Sequence, residues 1–134
     1  VHLHLFNSCG ELYLQKRPAW KDIQPGRWDT AVGGHVDWGE EPLAALRREV
    51  REEVGVTDFE PQHVLTYLFE SERERELVYV YKTVYDGPVV PSGELDGGRF
   101  WTLREIAEGV GGGIFTPNFE GEIRRVAELP DVGR

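Results

Sequence analysis

The 23 residues 34–56 constrain the fold of this chain more than any other segment. Their order predicts a loop, then a helix, and then a glycine that ends the helix. Pro42 suits the first turn of a helix, where its missing N–H is not needed, and Gly55 suits the left-handed position just after a helix end. Apolar side chains recur between them at the three- and four-residue intervals of one helical face: Leu43, Leu46, Val50 and Val54. The segment therefore predicts an amphipathic helix that packs on a core.

A second face of the same predicted helix carries three carboxylates. Glu49, Glu52 and Glu53 stand at i, i+3 and i+4, where like charges repel. A solvated surface is one interpretation of such a face. The other is a site for a divalent cation, because hard oxygen ligands suit Mg²⁺, Mn²⁺ or Ca²⁺ better than zinc. Arg48 precedes Glu52 by four residues, so it can brace that side chain.

The composition is that of one globular domain spanning residues 1–134. The net charge of −9 argues against a general nucleic-acid or anionic-membrane surface. Cys9 is the sole cysteine, so no internal disulfide forms and a reducing cytoplasm is expected. The sequence shows neither a signal peptide nor an apolar run of membrane-spanning length. It also lacks methionine and begins within an apparent strand, which indicates that the N-terminus is incomplete.

The flanking sequence predicts a mixture of strands and helices. Alternating or β-favouring residues predict strands over 1–6, 11–17, 28–32, 64–69, 77–85 and 99–102. The turn residues 7–10 join the first two strands as a hairpin. Thr102 can cap a short helix over 103–108, and Thr116 with Pro117 can begin a terminal helix that continues to about residue 129.

Two histidines occupy one face of the first predicted strand. His2 and His4 are spaced as metal ligands on a strand could be. With no carboxylate or cysteine near them in sequence, a structural or solvent-facing role is favoured.

The whole acidic segment fits the pattern G-x5-E-x7-R-E-U-x-E-E-x-G-U, where U is aliphatic, and runs from Gly34 through Glu40 to Val56. In this it resembles the signature of the Nudix hydrolase superfamily. The resemblance implies an α/β fold, the Nudix α/β/α sandwich, with a mixed β-sheet between the acidic helix and the terminal helix. It also implies Mg²⁺- or Mn²⁺-dependent hydrolysis of a diphosphate linkage in a small molecule, and homodimers are common among such proteins.

The resemblance assigns roles to residues of the signature. Glu49, Glu52 and Glu53 are the expected metal ligands, together with the carbonyl of Gly33, and Arg48 orients the glutamates. Glu40 supports the junction of loop and helix or an outer metal.

A further carboxylate outside the signature is also expected of a Nudix hydrolase. Glu76 is the first candidate and Glu74 the second, although the charged segment 70–76 also fits a solvated hairpin tip. The general base is therefore Glu53 or Glu76, and the sequence does not choose between them.

The segment 6–28, followed by Gly33, Gly34 and His35, is similar to type I isopentenyl-diphosphate isomerase and its Nudix relatives. In that isomerase an arginine and a lysine hold the substrate diphosphate, and Arg17 and Lys21 match them. Cations at a strand end would neutralise a pyrophosphate. His35 matches a metal ligand of the isomerase, but packing or a hydrogen bond to a loop is the favoured role for it.

The departure from the isomerase pattern lies at its catalytic cysteine. That position holds Gly33 here, and Cys9 falls in a predicted turn, so hydrolysis is favoured over isomerisation. A third hypothesis is a non-catalytic domain that senses nucleotides. The complete signature argues against it. The signature recognises the diphosphate and leaves its substituents open.

Overall fold

The computed structural model describes residues 1–20, 25–72, 75–93 and 95–132. In chain order the elements are β1 (His2–Phe6), β2 (Leu12–Lys16), β3 (Trp28–Thr30), β4 (Val32–Gly33), α1 (Pro42–Val54), β5 (Gln62–Glu70), β6 (Arg75–Val84), β7 (Gly98–Trp101), α2 (Leu103–Gly109) and α3 (Pro117–Val126). None of the described helices is long and apolar enough to cross a membrane.

The strands form one mixed sheet in the order β3-β2-β1-β6-β5, with β4 paired to β1 and β7 paired to β2. β1 and β6 are parallel, and the remaining pairs are antiparallel. The predicted hairpin over 1–17 is confirmed by the pairing of Leu5 with Tyr13 and of Phe6 with Leu12. The predicted mixed sheet between two helical layers is confirmed as well.

The first two strands diverge, and the chain fills the fork between them. β1 pairs with β2 at Leu5 and Phe6, but its other end pairs with β4 at His2 and Leu3. β2 in turn pairs with β3 over its last three residues. The prediction of one strand over 28–32 was wrong because the chain changes partner at Ala31, from β2 to β1. Sequence periodicity does not reveal such a change of partner.

Helix α1 begins and ends where the sequence predicted. Pro42 is its first residue, and Gly55 follows it with φ 70°, the left-handed conformation that glycine tolerates best. Ala45, Leu46, Val50 and Val54 are buried. Leu43 was expected in this stripe but is 44% exposed, because the first turn of the helix extends past the edge of the core.

The two faces of the sheet are covered by different helices. One core joins α1 to side chains of β1 and β4, among them Leu3, Leu5 and Val32. The other joins α2 and α3 to β2, through Leu12, Leu14, Ile106, Phe119 and Ile123. Successive residues of β1 and β2 alternate between these cores, as strand geometry requires.

Capping residues set the starts of the two later helices. Thr102 and Glu105 form a reciprocal capping box at the start of α2, and the Thr116 hydroxyl accepts a hydrogen bond from Phe119 N–H at the start of α3. The terminal helix was predicted to reach about residue 129 but ends at Val126, with Ala127 extended. Pro130 disfavours helical backbone at the residue before it, which contributes to this early end.

Phe119 is completely buried, so Phe119→Ala should leave a large cavity between α3 and the sheet. We expect the free energy of unfolding to fall by about 3–5 kcal/mol, measured by urea denaturation. Leu43→Ala, at the exposed position on α1, is the matched control and should cost below about 1 kcal/mol. Equal losses in the two variants would contradict this account of the core.

Candidate active site

A cavity of about 760 Å³ opens at the fork of the sheet, and we call it the acidic cavity. Glu49, Glu52 and Glu53 of α1 line it together with Gly33 and Gly34, so the structure brings these predicted residues together. Other side chains of its wall come from distant parts of the chain: His2, Gln15, Arg17, Asp29, Thr30, Ser92, Leu95 and Asn118.

Arg48 connects the acidic loop to the acidic face of α1. Its guanidinium donates to both carboxylate oxygens of Glu40, each at 3.0 Å, and to Glu49 Oε1 at 2.8 Å. It also donates to the carbonyl of His35 at 3.1 Å and lies 3.5 Å from Glu52. The predicted brace between Arg48 and Glu52 is therefore present, within a larger network.

Glu40 closes the loop rather than facing the acidic cavity. Its Oε1 accepts a hydrogen bond from the backbone N–H of Asp37 at 3.0 Å. The hydrogen bonds from Arg48 and from Asp37 hold the pKa of Glu40 well below its usual range, so this carboxylate stays ionised.

Gly34 lies directly against the carboxylate of Glu49. A Cβ atom at this position would overlap the Glu49 carboxyl group, so only glycine leaves that side chain in place. Arg48 holds the same carboxylate from the other side. The glycine of the loop and the arginine of the helix thus fix one acidic side chain between them.

Glu53 is the most enclosed of the three helical carboxylates. The Gln15 side chain donates a hydrogen bond to its Oε1 at 3.4 Å, but Oε2 is buried and receives none from the described residues. Burial and the neighbouring Glu49 carboxylate raise the pKa of Glu53 to about 8. The site thus concentrates more negative charge than its own donors stabilise.

The donor set fits a hard divalent cation. The groups that could hold such an ion are the carboxylates of Glu49, Glu52 and Glu53 and the carbonyl of Gly33. The buried Oε2 of Glu53 has no hydrogen-bond donor among the described residues, and a cation would supply the missing positive charge. Among the described residues, however, no group of three or more His, Cys, Asp or Glu is arranged ready for a metal. Arg48 instead occupies part of the carboxylates' bonding capacity.

The predicted late carboxylate lies beside the acidic cavity and not in its wall. Glu76, on β6, borders a smaller cavity that shares Gly34 and His35 with the acidic one. Its carboxylate lies 3.6 Å from His35 Nδ1, and the His35 side chain is 83% exposed. Glu74 falls outside the described residues.

Of the two residues predicted to bind the diphosphate, Arg17 lines the acidic cavity. Its guanidinium lies 3.8 Å from Asp29, and Asp29 is fixed in turn by the hydroxyl of Thr116 at 2.9 Å. Lys21 lies outside the described residues. The acidic cavity therefore has carboxylates on the α1 side and a guanidinium on the β2 side.

Sequence reasoning missed a buried polar cluster below the acidic cavity. Glu122 of α3 is hydrogen-bonded to His2 Nδ1 at 2.6 Å, to His4 Nε2 at 2.9 Å and to the hydroxyl of Tyr67 at 2.6 Å. Burial alone would raise the pKa of Glu122, but these hydrogen bonds outweigh it and hold that pKa well below its ordinary range. The available signal was a glutamate within the apolar stripe of the terminal helix, opposite two histidines that share a strand face.

Comparison with known proteins identifies the family. The sequence model of the NUDIX domain matches residues 1–119, which is most of the chain. The chain therefore belongs to the Nudix family, whose signature contains Arg48 and the three helical glutamates.

Individual relatives agree with this assignment. The chain is 36% identical over 97 residues to an uncharacterized Nudix hydrolase of Pseudomonas aeruginosa, covering 72% of this chain and 57% of that protein. It is 31% identical over 111 residues to an isopentenyl-diphosphate Delta-isomerase of Serratia proteamaculans, covering 79% and 60%. The chain thus spans less than two thirds of the length of either relative.

A solved structure shows the same fold. A crystal structure of a Deinococcus radiodurans protein superposes with a TM-score of 0.79 at 25% identity, covering 92% of this chain and 79% of that one.

Gly34→Ala should displace the Glu49 carboxylate without unfolding the protein, because the overlapping atoms belong to a flexible side chain. We expect Mn²⁺ affinity, measured by calorimetry, to fall by about 10–100-fold, the usual cost of disturbing the groups that position a ligand. Gly121→Ala is the control, since a Cβ there meets no atom within 4 Å. Unchanged affinity in Gly34→Ala would refute the proposed close approach.

The raised pKa of Glu53 predicts how the metal-free protein responds to pH. Folded protein binds this proton more tightly than unfolded protein does, so stability should fall as pH rises from the ordinary value of 4.5 toward about 8, and then level off. Chemical denaturation in EDTA across this range measures the effect. Glu53→Gln should remove the decline, and an equally steep decline in that variant would assign it to another group.

Proposed function

We propose that this chain is a Mg²⁺- or Mn²⁺-dependent hydrolase that cleaves the diphosphate linkage of a small molecule, such as a nucleoside diphosphate derivative. The observation that carries the proposal is the acidic cavity itself. Three helical carboxylates face a guanidinium across a space of substrate size, and one of them has a buried oxygen that no described residue supplies with a donor. Family membership supports the same reaction class.

The chain's own residues would share the work as follows. Glu49, Glu52 and Glu53 would hold the cation, and Arg48 keeps the first two in position. A bound divalent ion supplies charge neutralisation and acidifies water. Arg17 would neutralise a phosphate oxygen on the opposite wall, where Asp29 orients it.

We assign the general base to Glu53 rather than to Glu76. Glu53 lies in the acidic cavity with an oxygen that receives no hydrogen bond from the part of the chain that the structure describes, whereas Glu76 borders the neighbouring cavity and pairs with His35. Glu53 would take a proton from the attacking water as the new P–O bond forms. The bridging P–O bond then breaks, and two phosphorylated products leave.

Isomerisation of isopentenyl diphosphate is the alternative that the Serratia relative raises. The position of the isomerase cysteine is Gly33, and Cys9 is exposed in the turn after β1. The five residues of β1, roughly 13 Å from first to last Cα, separate that turn from the His2–Gly33 pair. The geometry therefore supports hydrolysis. We also propose a cytoplasmic location, in keeping with the lone cysteine.

Glu52→Gln and Glu53→Gln should abolish metal-dependent turnover while leaving the protein folded. Each variant removes a charged ligand at the centre of the acidic cavity, and we expect losses of at least about 100-fold in kcat. Chromatographic detection of the two phosphorylated products from a panel of diphosphates with Mg²⁺ and Mn²⁺ measures this. Glu108→Gln, at an exposed position of α2, is the matched control.

The same panel separates the alternatives. Formation of the allylic isomer from isopentenyl diphosphate would establish isomerase activity, and binding without turnover across the panel would indicate a sensor. Near-native activity in Glu52→Gln or Glu53→Gln would show that the residue has been assigned the wrong role.

A further inference from the structure

The wall of the acidic cavity is largely polar, and two apolar side chains interrupt it. Among the described residues that line this cavity, Pro18 and Leu95 are the two with apolar side chains. Pro18 is buried, whereas Leu95 is half-buried and is absent from the three apolar clusters of the described chain. Leu95 therefore lines the acidic cavity without supporting a core.

A partly exposed leucine is ordinary on a protein surface, but the backbone holds this one in place. We call residues 90–93 and 95–97 the crossing loop. At one end the Ser92 N–H donates to the carbonyl of Glu53 at 2.8 Å, and at the other the Asp96 N–H donates to the carbonyl of Lys16 at 3.1 Å. The crossing loop thus connects the end of α1 to the end of β2, with Leu95 between the two attachments.

The pairing of β2 with β7 places Leu95 level with Arg17. Gln15 pairs with Gly98 in this antiparallel ladder, and Lys16 donates its N–H to the carbonyl of Gly97 at 2.9 Å. One step further along both segments, Leu95 comes opposite Arg17, and both side chains line the acidic cavity. Residues opposite each other on neighbouring strands share a face and lie within contact distance. A group attached to a phosphate held by Arg17 therefore meets Leu95.

The polar groups around Leu95 narrow the chemistry of that group. Ser92 and Asn118 line the same cavity with a hydroxyl and an amide, both of which donate and accept hydrogen bonds. An alkyl chain would satisfy the leucine but would leave these polar groups without a partner in a closed complex. A nucleobase satisfies both requirements, because its faces are apolar and its edges carry donors and acceptors.

We propose that Leu95 is a specificity-determining residue that packs against the face of a nucleobase in the substrate's substituent. The proposal rests on the proposed diphosphate hydrolysis and narrows it to diphosphates of nucleosides. A site of this kind combines an apolar contact with a few placed polar groups, as small-molecule sites commonly do.

Kinetics with two substrates test this proposal. Leu95→Ala should raise KM for ADP-ribose by about 4–15-fold, the worth of one or two buried methylene groups, with little change in kcat. KM for isopentenyl diphosphate, which has no ring, should not change. Val90→Ala is the matched control, because Val90 lies on the same crossing loop and is 66% exposed. It should leave both KM values unchanged.

Two further replacements separate apolar contact from size. Leu95→Met keeps an apolar side chain of similar volume and should retain nearly the wild-type KM for ADP-ribose. Leu95→Asn has a similar shape but exposes an amide, so it should raise this KM as Leu95→Ala does. Equal KM values in the Met and Asn variants would show that the leucine makes no apolar contact with the substrate.

Methyl resonances of Leu95, assigned with Leu95→Ala, test the proposal without turnover. Protons that lie over the face of an aromatic ring move upfield. The Leu95 methyl resonances should therefore move upfield when α,β-methylene-ADP is added with Mg²⁺, but not with methylene diphosphonate, which has no base. The methyl resonances of Val90 should stay in place with both compounds.

The outcomes separate the two proposals. Absence of wild-type turnover on any diphosphate would overturn the proposed function, while the methyl spectra would still decide the role of Leu95. Leu95 methyl resonances that neither compound moves, or that both move equally, would overturn that role. So would equal KM increases for ADP-ribose and isopentenyl diphosphate in Leu95→Ala, since they would show a site without preference for a base.

Discussion

Crowding of negative charge along one face of α1 is the constraint around which the site is arranged. Arg48 offsets part of it by binding Glu40 and Glu49 and approaching Glu52. One guanidinium cannot balance every carboxylate around it, and Glu53 retains a buried oxygen with no donor among the described residues. Like charges held this close destabilise a fold unless protons or cations compensate.

The fork in the sheet places other polar groups opposite these carboxylates. Because β1 and β2 separate, β4 can carry Gly33 between them and bring its backbone next to Glu53. The same separation leaves the buried side chains of Gln15 and Thr30 to line the opening. A fully paired, regular sheet would place ladder hydrogen bonds where the acidic cavity now lies. The irregular pairing is therefore a part of the site and not a defect in the fold.

The local sequence pattern predicted some features of the structure correctly and missed others. The ends of α1 followed from Pro42 and Gly55, since helix caps depend on neighbouring residues alone. The change of strand partner at Ala31 could not be predicted in this way, because it depends on the divergence of strands elsewhere in the chain. The contact between His2 and Glu122 spans 120 positions, beyond the reach of any periodicity. Sequence reasoning therefore found the carboxylates but only part of the wall that faces them.

The hydrogen bond between His2 and Glu122 joins positions 120 residues apart, which limits the order in which the contacts of this region can form. On the ribosome, about 60 residues must be added after α1 is complete before α3 begins. At about 5–20 residues per second, this takes several seconds. During that interval the nascent protein has its acidic helix but not the helix that anchors the facing imidazole. The contact between α3 and β1 is thus among the last that a newly made molecule forms.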